Sequence, residues 1–341
     1  MLDRFDINAL VKEVVTKAGN DETVPKRENL REGWETDVLF RRLDVSVVGE
    51  YNDPTAYAEI GRGVLERLQG LPERLPEMEA LAMLAILRGE RLLPLTPEQE
   101  HIVIGLLDEL ETSISVLPDG TRKQRCQELL KYHMAVFENT RGDFDLAAKT
   151  HELAAEKAGE GSSSAAISLF LSAVYRLKSA LVAGKPSDEL EALFFDLEGE
   201  KSRQLAEALH GSELEVQWAE GNGPIDMIMA CVWLELLHPK WDDWVGMASL
   251  APSKLGKAWE PGAEFVRAAD MYKHNDSLAV QALEVIVANN DNPNEIRATA
   301  FLLLVRLALQ AGETDKAKSF IEQMPKEGAQ HVRAIAQRML T

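Results

Sequence analysis

Three glutamate–histidine pairs are the residues whose spacing best suits metal chemistry. In each pair the histidine follows the glutamate by three positions, as in Glu98/His101, Glu207/His210 and Glu235/His238. On a helix this spacing places carboxylate and imidazole on one face, as di-iron helical bundles require. Because a glycine follows His210 and a proline follows His238, both histidines are expected at helix ends, where the helix dipole favours a cation. No further inward glutamates complete a ligand set, so we predict no metal site and no cofactor.

The candidate nucleophiles are the two cysteines, Cys126 and Cys231. Each lies on a predicted apolar helix face, and neither is at a helix start or among basic residues that would stabilise a thiolate. Their spacing matches neither a metal site nor a disulfide framework, so buried thiols are expected. The sequence also lacks a glycine-rich phosphate loop. These observations predict that the chain is not an enzyme.

Four of the six tryptophans fall in one short region, at Trp233, Trp241, Trp244 and Trp259. Tryptophan is common at interaction hot spots because it buries a large area at low entropic cost. It also fills cores where helices meet at irregular angles, and core filling is the favoured interpretation. Asp242 and Asp243 lie within this region, but no third carboxylate follows them at a metal-binding spacing.

The elements that must position these residues are helices, and the clearest pair runs from Gln124 to Gly159. The first apolar stripe comprises Cys126, Leu129, Leu130, His133, Met134 and Phe137. The second comprises Phe144, Ala147, Ala148, His151, Ala154, Ala155 and Ala158. Both stripes have the helical period, and only a short turn at Gly142 separates them. Two amphipathic helices joined so closely are predicted to form an antiparallel hairpin.

This hairpin resembles a tetratricopeptide (TPR) unit. Gly142, Ala147 and Ala154 stand where that family keeps its turn glycine and two small residues of its second helix, and His151 stands where it usually has an aromatic. A second segment is similar, with Phe301, Leu304, Val305 and Ala308, then Gly312, then Ala317, Ile321 and Met324. Each unit is near the ~34-residue length of a TPR. The resemblance implies an all-α fold of stacked antiparallel helical hairpins, a TPR-like α-solenoid.

The resemblance also implies a concave groove lined by the first helix of each unit. Its residues would be Tyr132, Val136 and Asn139 in the first unit, and Leu302, Arg306 and Leu309 in the second. Trp241 and Trp244 of the Trp-rich region are the other candidate partner-binding residues.

The charge balance narrows the class of partner. The formal net charge is −19 over 341 residues. Such a field repels nucleic acid and anionic membranes, and it favours a basic peptide or protein partner, although solubility alone also explains it. Met1 to Gly19 is amphipathic and charged, which is not the pattern of a secretory signal. We therefore expect a cytoplasmic protein.

Four regions are predicted along the chain. Residues 1–52 form an N-terminal helical segment and linker, with a short strand candidate at Val45 to Val48. Residues 53–211 form a helical-hairpin array with the central TPR-like unit, 212–275 an irregular Trp-rich helical region in which Gly211 to Gly223 is loop-like, and 276–341 C-terminal hairpins with the second unit. Helices of ordinary length joined by short turns predict an all-α class.

Two functions remain compatible with the sequence. The first is a non-catalytic protein-interaction scaffold, adaptor or regulatory subunit that holds a protein segment on the concave face of the repeat stack. The alternative is an all-α enzyme or metal-binding protein that uses the Glu-x-x-His pairs or the Trp-rich region as a pocket.

Overall fold

The computed structural model describes residues 54–69, 76–90, 96–211 and 215–341. Throughout these ranges the secondary structure is helical and contains no strand, which confirms the all-α class. The predictions for residues 1–52, including the strand candidate at Val45 to Val48, lie outside the described residues. The chain divides into an N-terminal body that ends at His133 and a C-terminal body, Met134–Thr341.

The helices are named in chain order. The first four are α1 (Pro54–Gln69), α2 (Pro76–Glu90), α3 (Pro97–Ser115) and α4 (Thr121–Arg141), and the boundary between the bodies falls within α4. There follow α5 (Phe144–Ala158), α6 (Ser163–Val182), α7 (Ser187–Asp196), a π-helical turn (Leu197–Lys201) and α8 (Ser202–Leu209). Next come α9 (Glu215–Gln217), a second π-helical turn (Trp218–Asn222), α10 (Gly223–Trp233), α11 (Trp241–Leu255), a 3-10 turn (Lys257–Trp259) and α12 (Glu260–Lys273). The last are α13 (Ala279–Ala288), α14 (Asn294–Gln310), α15 (Thr314–Gln323) and α16 (Gln330–Arg338).

In the N-terminal body, α1 and α2 pack closely through a small apolar cluster. Its buried members are Val64, Leu68, Met78 and Ala82. Gly61 permits the approach, because a Cβ there would lie 2.5 Å from the Ala82 carbonyl oxygen. α3 begins where the Thr96 hydroxyl accepts a hydrogen bond from the Gln99 backbone N–H, as an N-cap residue does.

The two helices predicted for the hairpin are present as α4 and α5, and a short turn at Gly142 joins them. Gly142 has φ +86°, and the Asp143 N–H donates to the Glu138 carbonyl at 2.9 Å, which closes the end of α4. The left-handed backbone conformation at this position favours glycine, because glycine lacks a Cβ. Both predicted stripes face inward: apart from Met134 and Ala158, which are half-buried, all their residues are buried.

Helix α6 is a core helix of the C-terminal body. Among the described residues it is the one helix long and apolar enough to cross a membrane. However, 67% of its most apolar window is buried inside the protein. It packs against α5 along its length and also contacts α7, α8 and α16.

The final helix, α16, returns to the beginning of the C-terminal body. The Gln330 side chain donates to the Arg141 carbonyl at 3.1 Å, and Arg338 donates to the Leu181 carbonyl at 2.8 Å. In a simple solenoid each repeat contacts only its neighbours. These hydrogen bonds therefore link segments that a simple repeat array would keep apart.

The region predicted to be a loop, Gly211 to Gly223, is helical over most of its described part. α9 continues into the π-helical turn Trp218–Asn222, and α10 starts at Gly223. Trp218 is buried, and Gly221 lies so close to Trp259 that an added Cβ would be 2.6 Å from its ring. Tertiary packing of the two tryptophans thus overrides the low helix propensity of the glycines.

Candidate functional site

The most unusual side chain of the C-terminal body is Lys178, a lysine in the middle of core helix α6. The residue is only 3% exposed. Val174 and Leu181, one turn before and one turn after it, are buried on the same face of α6. A buried ammonium is costly unless charged and polar groups surround it, so its neighbours define a site.

Two helices supply the oxygen ligands of the Lys178 ammonium. Its Nζ donates to Asn139 Oδ1 of α4 at 3.0 Å and to Glu295 Oε2 of α14 at 2.9 Å. The second carboxylate oxygen, Oε1, lies 2.6 Å from the same nitrogen. The contacts with Asn139 and Glu295 nearly saturate the donor capacity of the ammonium.

Three aromatic rings enclose the same ammonium group. Nζ lies 5.1 Å from the ring centre of Tyr175, 5.6 Å from that of Trp233 and 5.8 Å from that of Phe144. Each separation is within the range of a cation–π attraction. The Trp233 indole N–H is itself satisfied, because it donates to Thr299 Oγ1 at 3.2 Å. The rings therefore shield the Lys178 ammonium from water while stabilising the cation.

His331, at the start of α16, completes the cluster. It is fully buried, and its Nε2 lies 2.9 Å from Glu295 Oε1, although the contact is poorly aligned for a linear hydrogen bond. Its ring packs edge-on against Trp233 and Phe144, with centroids 4.6 and 5.1 Å apart. Lys178, Glu295 and His331 thus join α6, α14 and α16, and we name them, together with Asn139, the Lys178 cluster.

The cluster shifts the pKa values of its own members. Burial alone would raise the pKa of Glu295, but the Lys178 charge and the contact with His331 outweigh burial and lower the pKa to about 2. Burial lowers the pKa of His331, with a smaller lowering from Lys178, despite the opposing attraction of Glu295. At neutral pH the cluster therefore holds a charged Lys178–Glu295 pair beside a neutral imidazole.

Asp226, on α10, is electrostatically coupled to this pair. Burial raises its pKa from 3.8 to about 7, against the attraction of Lys178 and with a further increase from Glu295. The two charged groups that act on it belong to α6 and α14. A carboxyl group that titrates near neutrality, coupled to a lysine and a glutamate, can bind and release a proton at physiological pH.

The titration of Asp226 predicts a specific pH dependence of stability. The pKa of Asp226 in the folded protein is raised to about 7. Its contribution to the free energy of unfolding is therefore complete below the ordinary pKa of 3.8 and is lost as pH rises through about 7. Asp226→Asn removes this titration. Between about pH 6 and about pH 8, the free energy of unfolding of the wild type should fall by at most about 1 kcal/mol relative to that of the variant. The effect is limited because Asp226 remains partly accessible to water.

Chemical denaturation of both proteins at the two pH values measures this difference. His331 acts in the opposite direction, because a lowered histidine pKa causes a loss of stability as pH falls below its ordinary 6.5. Since both proteins contain His331, its contribution cancels in the comparison. An equal pH dependence of the two proteins would contradict the assignment to Asp226.

The predicted partner-binding residues of α4 divide by exposure. Tyr132 and Val136 are half-buried and retain surface that a partner could contact. Asn139, one turn further, is also half-buried, but its side chain accepts the hydrogen bond from Lys178. Asn139 therefore belongs to the Lys178 cluster as well as to the predicted binding face.

The predicted residues of α14 are more deeply placed. Leu302 is fully buried, Arg306 is 6% exposed and Leu309 is half-buried. Burial lowers the pKa of Arg306 despite the nearby Glu235 carboxylate, which lies 3.3 Å from its Nη2. Of these three residues, Leu309 offers surface that a partner could contact. The binding roles of Leu302 and Arg306 stay predictions, because their side chains would have to become exposed.

The tryptophans of the Trp-rich region fill the core. Trp241 is 0% exposed, and its indole donates to Asp270 Oδ1 at 2.9 Å. Trp244 is 7% exposed and stacks on His238, with ring centres 5.2 Å apart. A partner could reach either ring only if α11 moved, so their predicted binding role is untested.

The Glu-x-x-His pairs lie on the surface rather than in a shared pocket. Apart from His238, which is half-buried, their six residues are exposed. Within the described ranges, the atoms close enough to share a metal ion belong to Asp242, Asp270 and His274 instead. The sequence does not suggest this group, because α12 brings Asp270 and His274 to Asp242 from a distant part of the chain.

The two cysteines are buried, as predicted. Burial raises the pKa of Cys231 to about 12, so its thiol stays protonated and unreactive at neutral pH.

Sequence reasoning missed Lys178, Glu295, His331 and Asp226. One signal was present, because Lys178 interrupts the apolar stripe of α6 four residues after Val174. Its partners Asn139 and Glu295 are 39 and 117 positions away, which no local pattern can connect.

Comparison of the chain with protein-family models, with curated proteins and with solved structures found no match in any of the three.

Proposed function

We propose that this chain is a non-catalytic protein-interaction scaffold, adaptor or regulatory subunit built from TPR-like helical hairpins. One observation carries the proposal. The first helices of the two TPR-like units, α4 and α14, supply Asn139 and Glu295 to the same lysine. The TPR resemblance assigns both helices to the concave side, so Lys178 would lie at a centre that the hairpins share. A simple repeat array would keep these two helices apart, so the proposed stack closes on itself through this lysine.

In this proposal the Lys178 cluster fastens the hairpins, and neighbouring side chains contact the partner. Val136 on α4 and Leu309 on α14 are half-buried, and so is Tyr132. The net charge of −19 favours a partner segment with basic residues. The contact residues supply apolar area, and the surrounding charge supplies attraction over a longer range.

Affinity capture of the tagged full chain from its native cells, followed by mass spectrometry, tests the proposal. We expect a stoichiometric protein partner that is lost when Tyr132 and Val136 are both replaced by alanine. Leu250→Ala is the matched control, since Leu250 is an exposed apolar residue on α11. A partner retained by the double variant, or lost equally from the control, would contradict the proposed contact face.

A second candidate, an all-α enzyme or ligand-binding protein, is favoured by the chemistry of the same cluster. Asp226 titrates near neutrality, and His331 Nδ1 is buried without a hydrogen-bond partner among the described residues. Perturbed titratable groups gather at catalytic sites, although structural ion pairs also produce them. Native mass spectrometry of the purified chain separates the two, since a tightly bound small molecule or metal would reverse the ranking.

A further inference from the structure

The outward face of α7 carries an exposed aromatic ring beside several carboxylates. The inward face buries Leu190 and Phe194, and Leu197 of the following turn is also buried. Phe195, the next residue after Phe194, points outward and is 52% exposed. Single exposed apolar residues are common on protein surfaces, so the groups around Phe195 decide whether its face suits a partner.

The surroundings of Phe195 leave room for a partner. Ala192, three residues earlier, is small and exposed, and Gly199 follows four residues later in the π-helical turn Leu197–Lys201. A Cβ added to Gly199 would meet nothing within 4 Å, so internal packing does not require the glycine. Glycine inside a helix costs about 1 kcal/mol relative to alanine, and π-helical turns are frequent at functional sites. Both features suit the close approach of another molecule.

Carboxylates surround the exposed ring. Asp188 and Glu191 share its helix face, at seven and four residues before it, and Asp196 follows it directly. Nearby Glu189 and Glu198 are ion-paired, with Lys185 and Lys240. By contrast, no cation of the described chain pairs with Asp188, Glu191 or Asp196. This face therefore combines one apolar anchor with three uncompensated negative charges.

The segment that follows α10 is a neighbour of α7. The His238 ring contacts the Phe194 ring at 6.0 Å, and Lys240 pairs with Glu198, so this segment lies beside α7. Leu237, next to His238, is 48% exposed. This neighbouring segment thus also carries an exposed apolar side chain.

We propose that the outward face of α7 around Phe195 is a docking surface for an arginine-rich segment of a partner protein. An arginine side chain can stack on the Phe195 ring while its guanidinium donates to Asp188 or Glu191. Charge complementarity selects this partner, since nucleic acid and anionic lipid are repelled by the same carboxylates. The face lies on a different helix from Tyr132 and Val136, so it adds a second binding site to the proposed function.

Fluorescence anisotropy with the full chain tests this site directly. The probe is a fluorescein-labelled peptide of alternating arginine and leucine. Phe195→Ser should weaken binding by about tenfold or more, as loss of a hot-spot side chain does, and Asp188→Asn with Glu191→Gln should weaken it comparably. A lysine–leucine peptide should bind the wild type more weakly than the arginine peptide, because an ammonium lacks the planar stacking surface.

Matched controls separate this site from general attraction to an acidic protein. Leu250→Ser removes an equally exposed apolar residue, and Glu284→Gln with Glu322→Gln removes two exposed charges on α13 and α15. Both controls should retain wild-type affinity. Unchanged affinity of Phe195→Ser, or equal losses in the controls, would overturn the proposal. So would Phe195-dependent self-association in sedimentation velocity, which would assign the face to a second copy of the chain. Because the probe is synthetic, these results do not depend on the capture experiment.

Discussion

Lys178→Met should destabilise the C-terminal body by about 3 to 5 kcal/mol. The substitution preserves most of the side-chain length but leaves the Glu295 carboxylate without its cation, beside the fully buried His331. Removing one partner of a buried ion pair costs more than the pair contributes, because the remaining charge, here the mostly buried Glu295 carboxylate, stays largely desolvated. Asn139 Oδ1 also loses its donor.

Urea denaturation followed by tryptophan fluorescence measures the effect, since five of the six tryptophans belong to the C-terminal body. Adding Glu295→Gln to Lys178→Met should recover part of the loss, because the uncompensated charge is then removed. Lys185→Met is the matched control: its ion pair with Glu189 is half exposed, so we expect a change below about 1 kcal/mol. Similar losses for Lys178→Met and Lys185→Met would show that the Lys178 cluster is not an energetic centre.

The helices α4 and α5 and the turn between them could be predicted because their determinants are local. The apolar residues recur with a helical period, and Gly142 supplies the left-handed turn within the same short stretch. A pattern of this kind depends only on neighbours along the chain. The same reasoning predicted correctly that both cysteines are buried.

The Lys178 cluster could not be predicted because its determinants are distant. His331 and Glu295 become neighbours of Lys178 only after α14 and α16 have packed against each other and α16 has packed on α6. The sequence shows a lysine inside the apolar stripe of α6, which indicates a buried cation but not its partners. Identifying such a site requires knowing which helices pack against one another, and helical periodicity does not contain that information.

The loop predicted at Gly211 to Gly223 was wrong for a related reason. The glycines of this segment predict an interruption, yet Gly221 lies within a π-helical turn. Close contact of Gly221 with Trp259 holds the turn in place. Local propensity loses to this packing because burying an aromatic ring contributes more than a glycine costs in a helix.

Trp241→Ala should cost about 3 to 5 kcal/mol, the range for truncating a large buried aromatic side chain. Trp241 is fully buried, its indole donates to Asp270, and the Lys273 ammonium lies 5.2 Å from the ring centre. Far-ultraviolet circular dichroism during urea denaturation is the suitable measurement, because the substitution removes a fluorophore. A loss below about 1 kcal/mol would contradict the role of Trp241 in the core.

Trp241→Phe separates packing from hydrogen bonding at the same position. The phenyl ring retains most of the buried apolar area, while Asp270 Oδ1 loses its indole donor, so the expected cost is about 1 to 3 kcal/mol. The comparison also decides whether Trp241 binds a partner. If Trp241→Ala loses a captured partner but Trp241→Phe keeps it, the ring acts through the packing of α11. If Trp241→Phe loses the partner at nearly native stability, α11 must move to expose the indole, and the Trp-rich region is itself a binding surface.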